Sequence, residues 1–170
     1  MQKATAYLEN SNLRADYVIR LDDDDIFNSG LLAGLGDKVF DLYVDKYHSF
    51  WNGATGKIAQ KVLLWFPNTC IHRWEHAFVT FGTLPPGNYT HFRASALLIE
   101  NEHNEFSKYY TSDHTILYAP RHNPVYLRTM SPASFSSSLE SDYSTYLSHH
   151  GYWKKNRLSG FSYLNKELIE

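Results

Sequence analysis

The chain has 170 residues, enough for one domain with a real hydrophobic core, and its 43% hydrophobic and 20% charged content is ordinary for a globular protein. A formal net charge of -2 gives no electrostatic basis for nucleic acid as a partner, and the single Cys70 excludes an internal disulfide. No signal-peptide pattern and no apolar run of bilayer-spanning length stands in the sequence, so a cytoplasmic setting, or one peripheral to a membrane, is expected.

In chain order, Met1 to Asn10 reads as the end of a helix, with Ala4, Tyr7 and Leu8 at helical spacing, and Asn10-Ser11-Asn12 breaks it. Tyr17-Val18-Ile19-Arg20-Leu21 has the composition and length of a buried strand. It stops in four consecutive carboxylates, Asp22 to Asp25, followed by Ile26-Phe27. Extended geometry would put Asp22 and Asp24 on one face and Asp23 and Asp25 on the other.

Asn28-Ser29-Gly30 can cap a short helix through Leu31, Leu32, Leu35 and Val39, weakened by Gly34 and Gly36. Asp41 to Trp51 alternates as a strand interrupted near Lys46. Asn52-Gly53 is a strong turn signal, so Ala59 to Phe66 is expected to return as a hairpin strand. Cys70 to Phe81 gathers Trp74, His72, His76, Phe78 and Phe81 around Glu75, as a helix or an irregular segment. Tyr89 to Ile99 fits strand or helix, and Asn88-Tyr89-Thr90 matches a short glycosylation sequon. Phe106 to Leu117 reads as helix, Val125 to Met130 as a short strand, Ser131 to Ser138 as a Ser-rich loop and Leu139 to His149 as helix. The expected organisation is one domain over residues 1–150 and a polar tail over 151–170, basic at Lys154, Lys155 and Arg157.

Four adjoining carboxylates repel one another, by roughly 1 kcal/mol per pair in water and about 4 kcal/mol near a protein surface at 4 Å. They must be exposed, protonated or neutralised by a cation. Hard divalent ions take carboxylate oxygens, and Mg2+ commonly combines one or two carboxylates with substrate phosphates. A plain surface turn needs neither the apolar run before the cluster nor Ile26-Phe27 after it, which favours a site over a solvated loop.

Arg20-Leu21-Asp22-Asp23-Asp24-Asp25-Ile26 resembles the Arg-Leu-Asp-x-Asp-Asp-Ala signature of the rhamnosyltransferase family. A weaker likeness lies at Asn123-Pro124-Val125-Tyr126-Leu127-Arg128-Thr129-Met130 and the Ser-rich loop after it. The resemblance implies an α/β, A-type glycosyltransferase fold, a mixed sheet flanked by helices, of which this chain is the C-terminal portion. In that family a sizeable nucleotide-binding half precedes the motif. It also implies an Asp-x-Asp pair, Asp22 and Asp24, adjoined by Asp25, that holds Mn2+ or Mg2+. Arg20 is then the basic residue before the pair. The implied partners are a nucleotide-sugar donor, rhamnose being the sugar the family name suggests, and a glycan or lipid-linked acceptor.

Sugar transfer with inversion needs a base for the acceptor hydroxyl. Glu75, Glu100 and Asp113 are the candidates, and Glu75 leads because burial among aromatics would raise its pKa and seat a sugar ring. Trp74 is a candidate stacking platform, Arg128 a candidate phosphate contact, and His114 or His103 a late metal ligand. Each has a bland counterpart: a structural Glu, core Trp, surface ion pair or exposed His. Two rival functions remain. One is a non-catalytic metal- or glycan-binding remnant. The other is a haloacid-dehalogenase-like phosphatase, whose motif wants Thr or Val where this chain has Ile26.

Overall fold

A computed structural model describes residues 7–8, 10–22, 25–53, 55–62, 69–79, 97–100, 109–130, 154–155 and 157–165. Asp23 and Asp24, the expected strand end at 63–66, the sequon, His103, the Ser-rich loop and the helix expected over 139–149 lie outside the described residues. The strands are β1 (Tyr17–Ile19), β2 (Asp25–Phe27), β3 (Leu42–Val44), β4 (Tyr47–Asn52), β5 (Lys57–Val62), β6 (Cys70–Arg73), β7 (Ile116–Tyr118), β8 (Tyr126–Met130) and β9 (Lys154–Lys155). The described α-helices are short: α1 (Ser29–Ala33) and α2 (Trp74–Ala77). The fold is thus α/β with mixed sheets and few helices. No helix among the described residues is long and apolar enough to cross a membrane.

The chain divides into two compact units, each with its own sheet. Unit 1 comprises Met1–Arg20, Val39–Val44 and Trp65–Tyr118, and unit 2 comprises Leu21–Lys38, Asp45–Leu64 and Ala119–Glu170.

The sheet of unit 1 runs β1-β6-β3-β7, antiparallel except for β3 beside β7. β3, one of its two inner strands, is buried along its whole length. Leu42 and Val44 pack with Cys70, Leu98 and Tyr110, and full burial of each aliphatic side chain stabilises by about 1.5–3 kcal/mol. β1 is half-buried and stands at one end of this order, so it is not the fully buried strand its composition suggests. Tyr17 instead stacks on Phe40, centroids 4.2 Å apart. Two further expectations are corrected in this unit. Cys70–Arg73 is a strand before a short helix, because Cys70, Ile71 and His72 are all buried between β1 and β3. Ile116–Tyr118 is likewise a strand and not the end of a helix, held parallel to β3.

The sheet of unit 2 runs β2-β8-β4-β5-β9. β4 and β5 form the expected hairpin across Asn52–Gly56. The Asn52 carbonyl accepts the Gly56 amide at 2.8 Å, its side chain accepts the Thr55 amide at 3.1 Å, and Gly56 takes φ 64, which favours glycine. The expected strand at Val125 to Met130 forms as β8, parallel to β4 and antiparallel to β2. The interruption expected near Lys46 is real and larger than a kink. The chain leaves one sheet at Val44 and enters the other at Tyr47. Asp45, 2% exposed, lies at that crossing and accepts the Val125 amide on both carboxyl oxygens, at 3.0 and 2.9 Å.

The helix expected after the aspartates is present but short, with Leu31 and Leu35 buried and Val39 exposed. Asn28 stands at its N-cap without a side-chain cap bond. Its Nδ2 donates to Asn123 Oδ1 at 2.8 Å and to the Pro124 carbonyl at 2.9 Å instead, tying α1 to the entry of β8.

The C-terminal segment docks on unit 2. β9 pairs with β5, the Ser159 amide donates to the His122 carbonyl at 2.8 Å, and Leu158, Phe161 and Leu164 are buried with Ile58 and Leu127. Gly160, φ +81, presses on Asn28: a Cβ there would lie 2.2 Å from Asn28 Oδ1. Gly160→Ala should therefore cost about 2 kcal/mol or more through left-handed backbone and overlap together. Phe161→Ala should cost about 3–5 kcal/mol by leaving a cavity. Urea unfolding of the full chain checks both; wild-type midpoints would show that the segment is peripheral to the fold.

Candidate functional site

In unit 2 the alternation of side chains along each strand assigns the sheet's faces. The pairings Asp25↔Arg128, Phe27↔Tyr126 and Phe50↔Arg128 place Asp25, Arg128, Tyr126, Phe50 and His48 on one face. Ile26, Leu127, Trp51 and Ile58 belong to the other, which the C-terminal segment covers.

The first face is a row of ionisable groups that grows more buried inward. Asp22 is exposed, Asp25 and Arg128 are half-buried, and Tyr126 and His48 are buried. The Tyr126 hydroxyl and His48 Nε2 are hydrogen-bonded to each other, and the two rings stack at 5.5 Å. Burial pushes the Tyr126 phenol well above its ordinary pKa, and the negative charges of Asp25, Asp45 and Asp22 push the same way against Arg128. Tyr126 therefore stays a hydroxyl. Burial also raises Asp45 well above the usual carboxylate range, against the hydrogen bonds it accepts from the Val125 and Tyr126 amides.

Asp25 and Arg128, separated by about a hundred residues of sequence, thus meet as directly opposed residues of β2 and β8. An opposite-charge cross-strand pair contributes roughly 0.2–1 kcal/mol. The Asp25 amide donates to the Asp22 carbonyl at 3.2 Å. The two-faced arrangement expected of the four aspartates rests on Asp23 and Asp24, which lie outside the described residues. Among the described residues no group of three His, Cys, Asp or Glu side chains is arranged to hold a metal ion.

The other expected site residues fall in unit 1. Arg20 follows β1 and is half-buried. Trp74, half-buried, packs against Phe78 at 4.7 Å, with the Arg14 guanidinium 5.9 Å from its ring centre. Glu75 does not sit in an aromatic seat. Its side chain is 59% exposed and pairs with Arg73 Nε at 2.9 Å, so the burial that was to make it a base is missing. The reason is local: α2 is a single turn, and that turn points the neighbouring His76 inward instead.

His76 belongs to a network that sequence reasoning missed. Its Nε2 lies 3.2 Å from Asp41 Oδ1 and its Nδ1 lies 2.6 Å from the Tyr109 hydroxyl. Asp41 also accepts the Thr115 amide at 2.7 Å and lies 3.5 Å from Arg73. Burial alone would raise Asp41, but the Thr115 amide, His76 and His114 outweigh it and hold the carboxyl below its ordinary range. An ionised Asp41 fixes the tautomer: His76 Nε2–H donates to it, leaving Nδ1 to accept the Tyr109 O–H. Tyr109 is raised above an ordinary phenol by burial and by Asp41 and Glu75, so it keeps its proton. His114 packs edge-on to His76, centroids 5.0 Å apart, and its Nδ1 accepts the Thr111 amide at 3.2 Å. The expected late metal ligand is therefore a member of this cluster. One signal was visible: His72 and His76 stand four residues apart in an aromatic-rich segment, although β6 and α2 share them out.

No family model matches the chain, and no curated protein or solved structure matches it.

Deeper in unit 1, His72 is 1% exposed and its Nδ1 lies 2.7 Å from the Tyr110 hydroxyl. Burial, reinforced by His76, depresses its pKa from 6.5 to about 3. Between those values the unfolded chain carries a proton that the folded chain does not. Stability is therefore fully present above about pH 6.5 and falls as pH falls toward about 3, by up to about 1.4 kcal/mol per unit from this residue. His72→Gln, which keeps a hydrogen-bonding group but cannot titrate, should flatten that decline. Urea midpoints measured through this range check it, and an unchanged slope in the variant would exclude His72 as the source.

Proposed function

We propose that the chain is part of a metal-dependent glycosyltransferase that moves a sugar, rhamnose by the family resemblance, from a nucleotide-sugar donor to a glycan or lipid-linked acceptor. The observation that supports this reading is the register of β2 on β8: Asp25, the last member of the acidic run, stands directly opposite Arg128. Asp25-Ile26 and Tyr126–Met130, the parts of the two resembling segments that form strands, are thereby neighbours in one sheet. A carboxylate beside a guanidinium suits a diphosphate leaving group that arrives with its cation.

In this reading Asp22, Asp24 and Asp25 hold Mn2+ or Mg2+, which when bound neutralises charge on the departing nucleoside diphosphate. Arg128 contributes a fixed positive charge and planar donors for a phosphate oxygen. Tyr126 and His48, buried behind Arg128 on the same face, brace its strand and present a hydroxyl that does not ionise. Glu75, exposed and paired to Arg73, is withdrawn as the favoured base. The same carboxylates would serve a remnant that binds a cation without turnover, and the assay below separates the two.

Release of nucleoside diphosphate from nucleotide-sugar donors should require manganese or magnesium. Asp22→Asn and Arg128→Gln should each lower it by roughly a hundredfold. Cation binding by calorimetry with no release from any donor would establish the non-catalytic remnant. Hydrolysis of a generic phosphate ester, abolished by Asp22→Asn, would establish the phosphatase.

A further inference from the structure

We propose that unit 2 carries a second site, a basic cavity that binds a phosphate-bearing ligand, on the sheet face opposite Asp25 and Arg128. The cavity has a volume of about 660 Å³, within the range of small-molecule sites. Its floor is apolar: Ile58 and Leu158 are both buried and belong to the core that the C-terminal segment completes. Its walls are Gln60, Arg121, Lys154, Lys155 and Arg157. Among the described residues that line it, Arg121, Lys154, Lys155 and Arg157 are cationic and none is acidic, in a chain whose net charge is -2.

The arrangement is built and not merely basic. Arg121 is fixed in place by Nε donating to Gln60 Oε1 at 3.2 Å and by its guanidinium lying 4.7 Å from the Tyr47 ring centre. Gln60 is fixed in turn by donating to Ser49 Oγ at 3.0 Å and to the Arg121 carbonyl at 2.9 Å. The terminal nitrogens of Arg121 make no hydrogen bond among the described residues, which leaves a planar pair of donors oriented but unused. Lys154 enters by pairing opposite Ile58 in the β5–β9 ladder, and Lys155 is directly opposite Lys57. Like charges opposed across strands are destabilising. None of Arg121, Lys154, Lys155 and Arg157 is ion-paired to a carboxylate among the described residues. A dianion in the cavity would supply the missing countercharge to Arg121, Lys154 and Arg157, and a phosphate or diphosphate matches both the fork of Arg121 and the point charge of Lys154.

This site lies on the face away from the acidic row and does not depend on the transferase reading. The test is calorimetry of the full chain with inorganic pyrophosphate in EDTA, so that no divalent cation can bridge the ligand to aspartates. Binding is expected at low salt and should weaken steeply as salt rises. Arg121→Gln and the doubly substituted Lys154→Ala/Lys155→Ala should each weaken it by roughly tenfold or more. The lysine pair is exposed, so its loss leaves the fold intact. A second arm uses vesicles of phosphatidylcholine with and without a phosphomonoester lipid. Sedimentation with the phosphomonoester vesicles alone, competed by pyrophosphate, supports the proposal and makes a lipid head group the source. Binding of free pyrophosphate without vesicle binding supports it with a soluble ligand. No heat with pyrophosphate at millimolar concentration, or equal affinity in both variants, overturns it.

Discussion

The arrangement of unit 2 depends on one buried carboxyl. Asp45 interrupts what would otherwise be a continuous strand from Asp41 to Trp51, and it does so at 2% exposure. A buried carboxyl without partners is costly, and Asp45 meets that cost by accepting the Val125 amide on both oxygens. The consequence is geometric. Val125 immediately precedes β8, so fixing its amide sets where β8 begins beside β4. That register brings Arg128 opposite Asp25 on one side and Phe50 on the other. Asn28, bonded to the Pro124 carbonyl and Asn123, holds the same junction from the helix after β2. Two polar side chains thus fix one strand entry from both neighbouring segments, reinforcing the register that burial of the apolar face already favours.

The same register gives the sheet two chemically different faces. One residue of slip in β8 would move Arg128 and Tyr126 to the apolar side and Leu127 to the polar side. On the polar side the charges of Asp22, Asp25 and Arg128 act on a phenol held in low dielectric, where their influence is least screened. On the apolar side Leu127, Ile58 and Trp51 are covered by Leu158, Phe161 and Leu164, and only the rim of that cover is charged. The acidic row and the basic cavity are separated by the thickness of one sheet. That separation keeps Lys154 and Arg157 from pairing with Asp25.

What the sequence disclosed was the punctuation. The break near Lys46, the Asn52-Gly53 hairpin, the Asn28-Ser29-Gly30 helix start and the strand after Pro124 all rest on local backbone chemistry, and all four appear. What it concealed was partnership. β1 and β2 are eight residues apart from start to start, yet they belong to different sheets, because their partners β6 and β8 lie far along the chain. Ile116–Tyr118 has no periodicity to announce a strand and becomes one by lying parallel to buried β3. The Asp41 network was concealed for the same reason. Asp41, His76, Tyr109 and His114 come from three separate stretches, and each alone looks like a surface polar residue or a core ring. Glu75 drew notice because it was the acid among aromatics, but a one-turn helix turns adjacent side chains about 100° apart, and the inward position belongs to His76.

Net charge hides the feature that most distinguishes unit 2. A value of -2 over 170 residues averages the acidic run at Asp22–Asp25 against cations placed far along the chain. Arg121 reaches the cavity from the loop before β8, while Lys154, Lys155 and Arg157 reach it from the C-terminal segment. The cavity's potential therefore exists only while β9 is paired with β5 and Leu158, Phe161 and Leu164 are seated. Mutual repulsion of the cations works against that pairing, and burial of the three apolar side chains, at about 1.5–3 kcal/mol each, works for it. An anion that binds the paired state and not the released one shifts this balance by its own binding free energy. Occupancy of the cavity and order of the C-terminal segment are in this way one linked equilibrium.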